Sequence, residues 1–250
     1  MMASVVQGPS LLETSLHRPS PSLMFLPGLR SLPFWTSFDG TSNLIAYQDP
    51  VVSHVVQYLQ QHVSTFQNEF EKEQANVPSD YQTGGEHDSK LHSGSWDWHS
   101  YMLQGSIQPQ FAKHFPGTSR ILNGLRQDQL LFEGTPFGFC FFSSLHPKSS
   151  IEPHCSAMNF RLRIHLPLVV PPNKCGIRVG PMTQEWNKGQ AMVLDDSYEH
   201  QVWNDSDQTR VLLLVDIWHP DVKISERDEI LRMFQHAQDQ GWLKGGKDDN

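Results

Sequence analysis

Two histidines and one arginine are the residues whose types and placement could do chemistry. His154 stands in P-H-C-S-A-M-N, just ahead of F-R-L-R-I-H-L. His200 stands in D-D-S-Y-E-H-Q-V-W, and Arg210 opens T-R-V-L-L-L-V-D-I-W-H-P. Neutral imidazole is a common ligand of divalent transition metals, and two of them at the edges of strand-like runs can share one ion while leaving coordination positions open. Arg210 begins a very apolar strand, where a guanidinium without a partner is costly to bury. An acidic ligand would compensate it with two parallel hydrogen bonds. The chain has 13 histidines, and a lone histidine is more often a satisfied core or surface residue than a ligand. The pair is therefore singled out by its setting, not by spacing alone.

These residues need strands to hold them, and the strand 159–168 is the most informative. Alternation puts Phe160, Leu162, Ile164 and Leu166 on one face and Arg161, Arg163 and His165 on the other. A polar face of this kind is either solvated or, with His154 just upstream, lines a cavity in which the arginines meet an anion. From about 136 to 219 the chain reads as β throughout: F-G-F-C-F-F-S-S, N-F-R-L-R-I-H-L-P-L-V-V, C-G-I-R-V-G, Q-A-M-V-L-D-D and T-R-V-L-L-L-V-D-I-W. Strands this dense, with no helices between them, predict a mainly β fold, a sandwich or jelly roll, rather than a parallel α/β sheet.

Flanking segments complete one domain over 25–243. Leu26–Trp35 is apolar but punctuated, as expected of an extended segment lying on a domain. Asp49 and Pro50 start a helical pattern whose apolar side carries Val52, Val55, Val56, Leu59, Val63, Phe66 and Phe70. That helix is expected to pack on the sheet's outer face. Residues 75–95 read as a loop, 96–104 as a strand, Pro116–Gly124 as a short helix and 225–243 as a last helix. Residues 1–24 form a Ser/Pro/Gly-rich lead-in and 244–250 a tail; no internal repeats are visible.

At 250 residues and 38% hydrophobic content the chain can bury a sizeable core. A net charge of −8 argues against nucleic acid or an anionic membrane as the main partner. Cys140, Cys155 and Cys175 are odd in number and lack CxxC spacing, which argues against a disulfide framework or structural zinc. No run approaches the roughly 20 apolar residues of a membrane span, and the N-terminus lacks a signal-peptide pattern. A cytoplasmic protein with a small-molecule substrate and no nucleic-acid or membrane partner is expected, with the oligomeric state open.

Longer motifs add a resemblance. S-S-L-H-P-x-x-x-x-x-P-H-x-x-x-x-N-x-R-L-R-x-H-L, W-x-x-G-x-x-x-x-x-D-D-S-x-E-H-x-V-W and V-D-I-W-H-P span about Ser143 to Pro220. Together they resemble the catalytic domain of the aspartyl/asparaginyl β-hydroxylase family, with weaker support from L-P-G-L at Leu26–Leu29 and G-S-W at Gly94–Trp96. The resemblance implies a double-stranded β-helix (jelly roll, cupin-like) with flanking helices, using Fe(II), 2-oxoglutarate and dioxygen. It implies that His154 and His200 bind iron, and that Arg210 and Ser143 hold the distal carboxylate of 2-oxoglutarate. Arg163 and His165 would lie near its metal-bound end, and Arg161 could meet a substrate carboxylate. Gln104 matches a substrate-contacting glutamine in W-x-x-x-x-x-x-x-Q-G counted from Trp96. Where most 2-oxoglutarate oxygenases carry a carboxylate ligand, this chain has Ser156, so water is expected there; Glu152, Asp195, Asp196 and Glu199 are the nearby acids.

The expected reaction is oxidation of an unactivated C–H bond with decarboxylation of 2-oxoglutarate to succinate. Hydroxylation, desaturation, ring closure and halogenation are all open as outcomes. Phe141 stands where the family is similar in having a lysine near the substrate carboxylate, and the chain shows neither the membrane anchor nor the helical-repeat domain of the animal members. These departures favour a free amino acid or amino-acid-derived small molecule as substrate. Asp/Asn residues of a peptide or protein are the alternative, and a non-catalytic jelly-roll binding module the second. Trp96 and Trp98 are expected to pack as core or rim aromatics and His219 to close a strand end, while His99, His114 and His146 receive no role.

Overall fold

The computed structural model describes residues 24–38, 44–47, 49–81 and 91–243; the lead-in apart from Met24, and the tail, lie outside the described residues. Two short strands, β1 (Thr36–Phe38) and β2 (Leu44–Tyr47), precede helices α1 (Pro50–Gln60) and α2 (Val63–Glu73). Strands β3 (His92–Ser93), β4 (Trp96–Leu103) and β5 (Ser106–Ile107) then lead to α3 (Phe111–His114) and α4 (Pro116–Gln127). The β-rich half runs through β6 (Cys140–Leu145), β7 (Ser149–His154), β8 (Arg161–Val169), β9 (Cys175–Val179) and β10 (Met182–Glu185). It ends with β11 (Met192–Leu194), β12 (His200–Asn204) and β13 (Arg210–Trp218), before a last helix, α5 (Ile224–Asp239).

From β6 onward the chain steps back and forth between two antiparallel sheets. The larger has the order β11-β8-β13-β6-β4-β5 and the smaller β10-β9-β12-β7-β3. Strands β6, β8, β11 and β13 thus alternate along the chain with β7, the β9–β10 hairpin and β12. This is the winding of a double-stranded β-helix, as the strand density and the resemblance predict.

The alternation in β8 holds, but its apolar side faces away from the other sheet. Leu162, Ile164, Leu166 and Leu168, with Val211, Leu213, Val215 and Ile217 of β13, pack beneath Val52, Val55, Val56, Leu59, Phe66 and Phe70 of the first two helices. The helices remove the larger sheet's outer face from water, which frees its inner face to carry polar groups. Arg161 and His165 are buried there rather than solvated. A second apolar cluster joins the sheets from within, with Leu145, Met192, Leu194 and Leu212 meeting Ile151, Ile177, Val179 and Val202. Among the described residues no helix is long and apolar enough to cross a membrane.

The punctuated N-terminal segment does lie on the domain. Met24 bridges Met158, Phe34 bridges Leu194, and Asn159 brackets the Leu26 backbone through both its amide atoms. Asp49 caps α1, accepting from the Val51 and Val52 amides. The helical pattern over 50–74 is broken at Gln61–His62, and the final helix stops at Asp239, short of 243. Strand 96–104 stops at Leu103 because Gln104 and Gly105 turn left-handed, φ 49° and 73°. Position 105 admits only glycine, since a Cβ there would lie 2.0 Å from the Thr135 carbonyl oxygen. The expected loop over 75–95 contains the short strand β3.

Candidate functional site

His154 and His200 end up facing one another through an irregularity in strand pairing. Val202 pairs with Ile151 and His200 with His154, so β7 holds one residue more than β12 between the two rungs. The extra residue is a β-bulge at Glu152–Pro153, and proline is tolerated there because a bulge leaves an amide unpaired. Without it His154 would point to the opposite face from Ile151. With it the two imidazole centroids lie 4.1 Å apart.

Each ring is oriented by its own backbone. The Nδ1 of His154 contacts the Glu152 carbonyl at 2.7 Å, and that of His200 the Tyr198 carbonyl at 2.9 Å. A carbonyl accepts only, so Nδ1 carries the proton in both and the Nε2 lone pairs are left for a ligand. Burial pushes the His200 pKa down to about 3, with the neighbouring His154 adding to the effect, and burial also lowers that of His154. Both rings are neutral at pH 7, the state a metal requires. Among the described residues no third His, Cys, Asp or Glu completes a metal-binding group of three. Glu199 pairs with Arg178 at 2.7 Å, Asp195 accepts from the Ser197 amide, and Asp196 is taken by arginines. Glu152 points to solvent.

Arg210 enters from the larger sheet, at the first rung of β13 opposite Leu145. It is fully buried and faces no carboxylate among the described residues. Its Nη1 reaches Ser143 Oγ at 3.4 Å and the Ser143 carbonyl at 3.5 Å, and its Nε has no partner. Burial pulls the guanidinium pKa down to about 9. Ser143 Oγ also accepts from Trp96 Nε1 at 2.9 Å, leaving its own proton free to donate elsewhere. The Trp186 ring lies 5.1 Å from the Arg210 guanidinium carbon and 5.9 Å from the His165 ring. His165 Nδ1 and Trp186 Nε1 are both buried without a partner among the described residues. Burial, then Arg163 and Arg210, holds His165 well below its usual pKa, so it is neutral.

The other two arginines are placed differently from expectation. Arg163 makes a two-pronged pair with Asp216, at 2.8 and 2.9 Å, and reaches Asp196 at 3.4 Å. Arg161 lies 2.6 Å from Asp196 and 3.0 Å from Asp216, and also donates to the Phe137 carbonyl and to Ser156 Oγ. Burial alone would raise Asp196, but Arg161 and Arg163 overcome it and hold the carboxyl well below the usual range. The four charges cancel. Arg161 and Arg163 are thus engaged by the chain's own carboxylates, and the geometry does not leave them for a substrate carboxylate or for the oxo-acid. Gln104 is exposed in the β4–β5 turn, at the edge strand of the larger sheet; the structure does not bring it to this group. Asp216 escaped the sequence reading, though the argument applied to Arg210 finds it: an aspartate inside V-L-L-L-V-D-I-W has to be paired. Trp96 and Trp186 stand in the sequence inside the motifs G-S-W and W-x-x-G, which assign them no contact.

The donor set fits a metal and an oxo-acid. Two neutral imidazoles present lone pairs, and buried, unpaired donors on Arg210 and Trp186 stand with the Ser143 hydroxyl where a carboxylate would satisfy them. The profile of the aspartyl/asparaginyl β-hydroxylase family matches residues 56–220. An aspartate β-hydroxylase domain-containing protein 2 from Xenopus tropicalis is 30% identical over 229 residues, covering 87% of this chain and 56% of the relative. The mouse aspartyl/asparaginyl β-hydroxylase is 34% identical over 134 residues, 54% of this chain and 18% of the relative. The chain thus spans less than two thirds of the length of these relatives. A solved oxidoreductase of the 2OG-Fe(II) oxygenase family from Burkholderia pseudomallei aligns over 61% of this chain and 77% of its own at 17% identity, with a TM-score of 0.39, too distant to bear on the site.

Proposed function

The chain belongs to the aspartyl/asparaginyl β-hydroxylase family, and from that premise we propose that it is an Fe(II)- and 2-oxoglutarate-dependent oxygenase. The observation that carries the reading is Arg210: a buried guanidinium with no carboxylate partner among the described residues, on the sheet facing a pair of neutral histidines. His154 and His200 would hold the iron through Nε2, and Arg210 and Ser143 the far carboxylate of the oxo-acid. Bound iron, 2-oxoglutarate and dioxygen would supply the oxidising power to attack an unactivated C–H bond as 2-oxoglutarate becomes succinate. The chain's own part is to fix both ligands in one pose and to present the substrate's C–H bond, which sets the outcome of the reaction.

For the substrate we favour a free amino acid or amino-acid-derived small molecule. On the strand that carries Ser143, the same face presents Phe141, with Trp98 stacked on it at 4.2 Å and Phe139 at the Trp98 edge. With Arg161 and Arg163 neutralised, no cation on this inner face other than Arg210 stands without a carboxylate among the described residues. An aspartyl side chain finds little to bind it there. Asp/Asn residues of a peptide are the second reading, favoured by the names of the relatives.

The test is anaerobic addition of Fe(II) and 2-oxoglutarate, followed by visible absorption. The charge-transfer band of a metal-bound oxo-acid is expected in the parent, absent in His154→Ala and weakened in Arg210→Ala. No band, with Fe(II) affinity no better than that of His154→Ala, sinks the oxygenase reading and leaves a non-catalytic jelly-roll binding module. Succinate release with a panel of free amino acids, set beside an Asp/Asn peptide, then decides the substrate class.

A further inference from the structure

We propose that Trp186 is a positioning residue for the oxo-acid, donating its indole N–H to the same carboxylate that Arg210 and Ser143 hold. The proposal deepens the oxygenase reading and rests on it. Trp186 follows β10 and is only 4% exposed, and its Nε1 has no hydrogen-bond partner among the described residues. An indole N–H donates and never accepts, so Arg210 cannot satisfy it, and the neutral His165 ring, 5.9 Å away, makes no hydrogen bond to it. Only an acceptor can.

The surroundings say which acceptor. The Arg210 guanidinium lies over the Trp186 ring at 5.1 Å, with its own Nε unpartnered, and the His165 ring is 5.9 Å from the indole with Nδ1 unpartnered. Three neighbouring side chains, each with a buried polar atom lacking a partner among the described residues, therefore come from three parts of the chain: β8, β13 and the segment after β10. A buried polar group left unsatisfied is costly, and native interiors carry few of them. A carboxylate offers about four lone-pair sites and can serve several donors at once. The unpartnered indoles elsewhere have other settings. Trp35 sits against Arg30, which is already paired with Asp49 and Asp221, and Trp98 is enclosed by aromatic rings. Trp186 alone among them stands against a cation that has no counter-charge among the described residues.

The ring and its N–H then have separable duties. The ring face supports the guanidinium before the oxo-acid arrives, while the N–H acts once the carboxylate is in place. Trp186→Phe keeps an aromatic face and removes the donor. Replacement by the sulfur isostere benzothienylalanine removes the donor at nearly constant shape. Both would be titrated calorimetrically as the Mn(II)-loaded protein, with 2-oxoglutarate and with 2-oxobutyrate, a 2-oxo acid that lacks the distal carboxylate.

We expect 2-oxoglutarate binding to weaken about tenfold in both variants, the loss of one hydrogen bond to a charged group, with 2-oxobutyrate binding unchanged. Equal weakening of both acids would mean that Trp186 merely packs, and overturns the proposal. So would parental affinity for 2-oxoglutarate in the isostere variant. Arg210→Ala run in parallel separates the levels. If it loses 2-oxoglutarate while the Trp186 variants do not, Trp186 alone is wrongly assigned. If the parent itself does not bind 2-oxoglutarate, the oxygenase reading and this proposal both fall.

Discussion

Arg210 is held at a cost to the ligand-free protein. Its guanidinium is 1% exposed and its hydrogen bonds to Ser143 are long, at 3.4 and 3.5 Å. A buried polar group so poorly compensated destabilises by about 1–3 kcal/mol. Arg210→Met, which keeps an unbranched chain and drops the charge, is expected to raise the unfolding free energy of the ligand-free protein by about 1 kcal/mol or more while abolishing 2-oxoglutarate binding. Urea midpoints read the first effect and calorimetry the second; a lower midpoint would mean the guanidinium is well compensated before ligand arrives. His219 allows a prediction from pH. Its Nε2 donates to the Arg30 carbonyl at 3.0 Å, its Nδ1 accepts from the Asp221 amide, and burial lowers its pKa to about 4. The folded value lies below the unfolded one of about 6.5, so between those limits the unfolded chain binds a proton that the folded chain refuses. Stability is therefore full above pH ~6.5 and falls as pH drops toward ~4, by up to ~1.4 kcal/mol per unit from this group. His219→Gln should show a smaller drop in urea midpoint between pH 7 and 4.5 than the parent; an equal drop would assign the slope to other groups.

Among the elements, the bulge in β7 decides whether the histidines meet. Neither β7 nor β12 is among the five β runs legible in the sequence, and although Pro153 hints at an irregularity, the register between distant strands is a tertiary property that local pattern does not contain. The same limit applies to β8. Its two faces were readable from residue types, whereas which face turned toward the partner sheet depended on α1 and α2 covering the apolar one. Gln104 shows the converse: its spacing from Trp96 matches the family pattern, yet the left-handed turn after Leu103 leaves it exposed at a sheet edge. Deleting Pro153 tests the role of the bulge. One residue fewer leaves His154 two places from Ile151, so regular pairing keeps it on the same face and opposite His200, and Fe(II) or Mn(II) affinity should stay well above that of His154→Ala. Far-ultraviolet circular dichroism should stay close to that of the parent. Affinity as low as that of His154→Ala would mean that the bulge does more than set the face of His154, or that β7 re-registers.

At the scale of the molecule, the site is split between the sheets. His154 and His200 belong to the smaller, and Arg210, Ser143 and His165 to the larger, so on the proposed reading a metal and an oxo-acid would be brought together only while the sheets hold their spacing. Apolar contacts inside the jelly roll contribute, but they are non-directional. The buried ion network adds direction. Asp196 sits in the turn that carries the chain from β11 to β12 and so to His200, and it is gripped by Arg161 and Arg163 of β8. Asp216 of β13 binds the same two arginines and accepts from the Phe139 amide at 3.0 Å, tying in the approach to β6. Asp216→Asn leaves two buried guanidiniums with one carboxylate. Breaking such a network from one side is expected to cost about 3–5 kcal/mol. Glu133→Gln, which breaks the exposed pair between Arg126 and Glu133, should cost less than about 1 kcal/mol. Urea unfolding of the two variants compares them directly. The network argument also demands that Asp216→Asn weaken 2-oxoglutarate binding to the Mn(II)-loaded protein, although Asp216 belongs to neither ligand set, because the two arginines that anchor the turn leading to His200 lose the carboxylate that orients them. A cost near that of the surface pair, with oxo-acid affinity unchanged, would mean that the apolar core alone sets the spacing of the sheets.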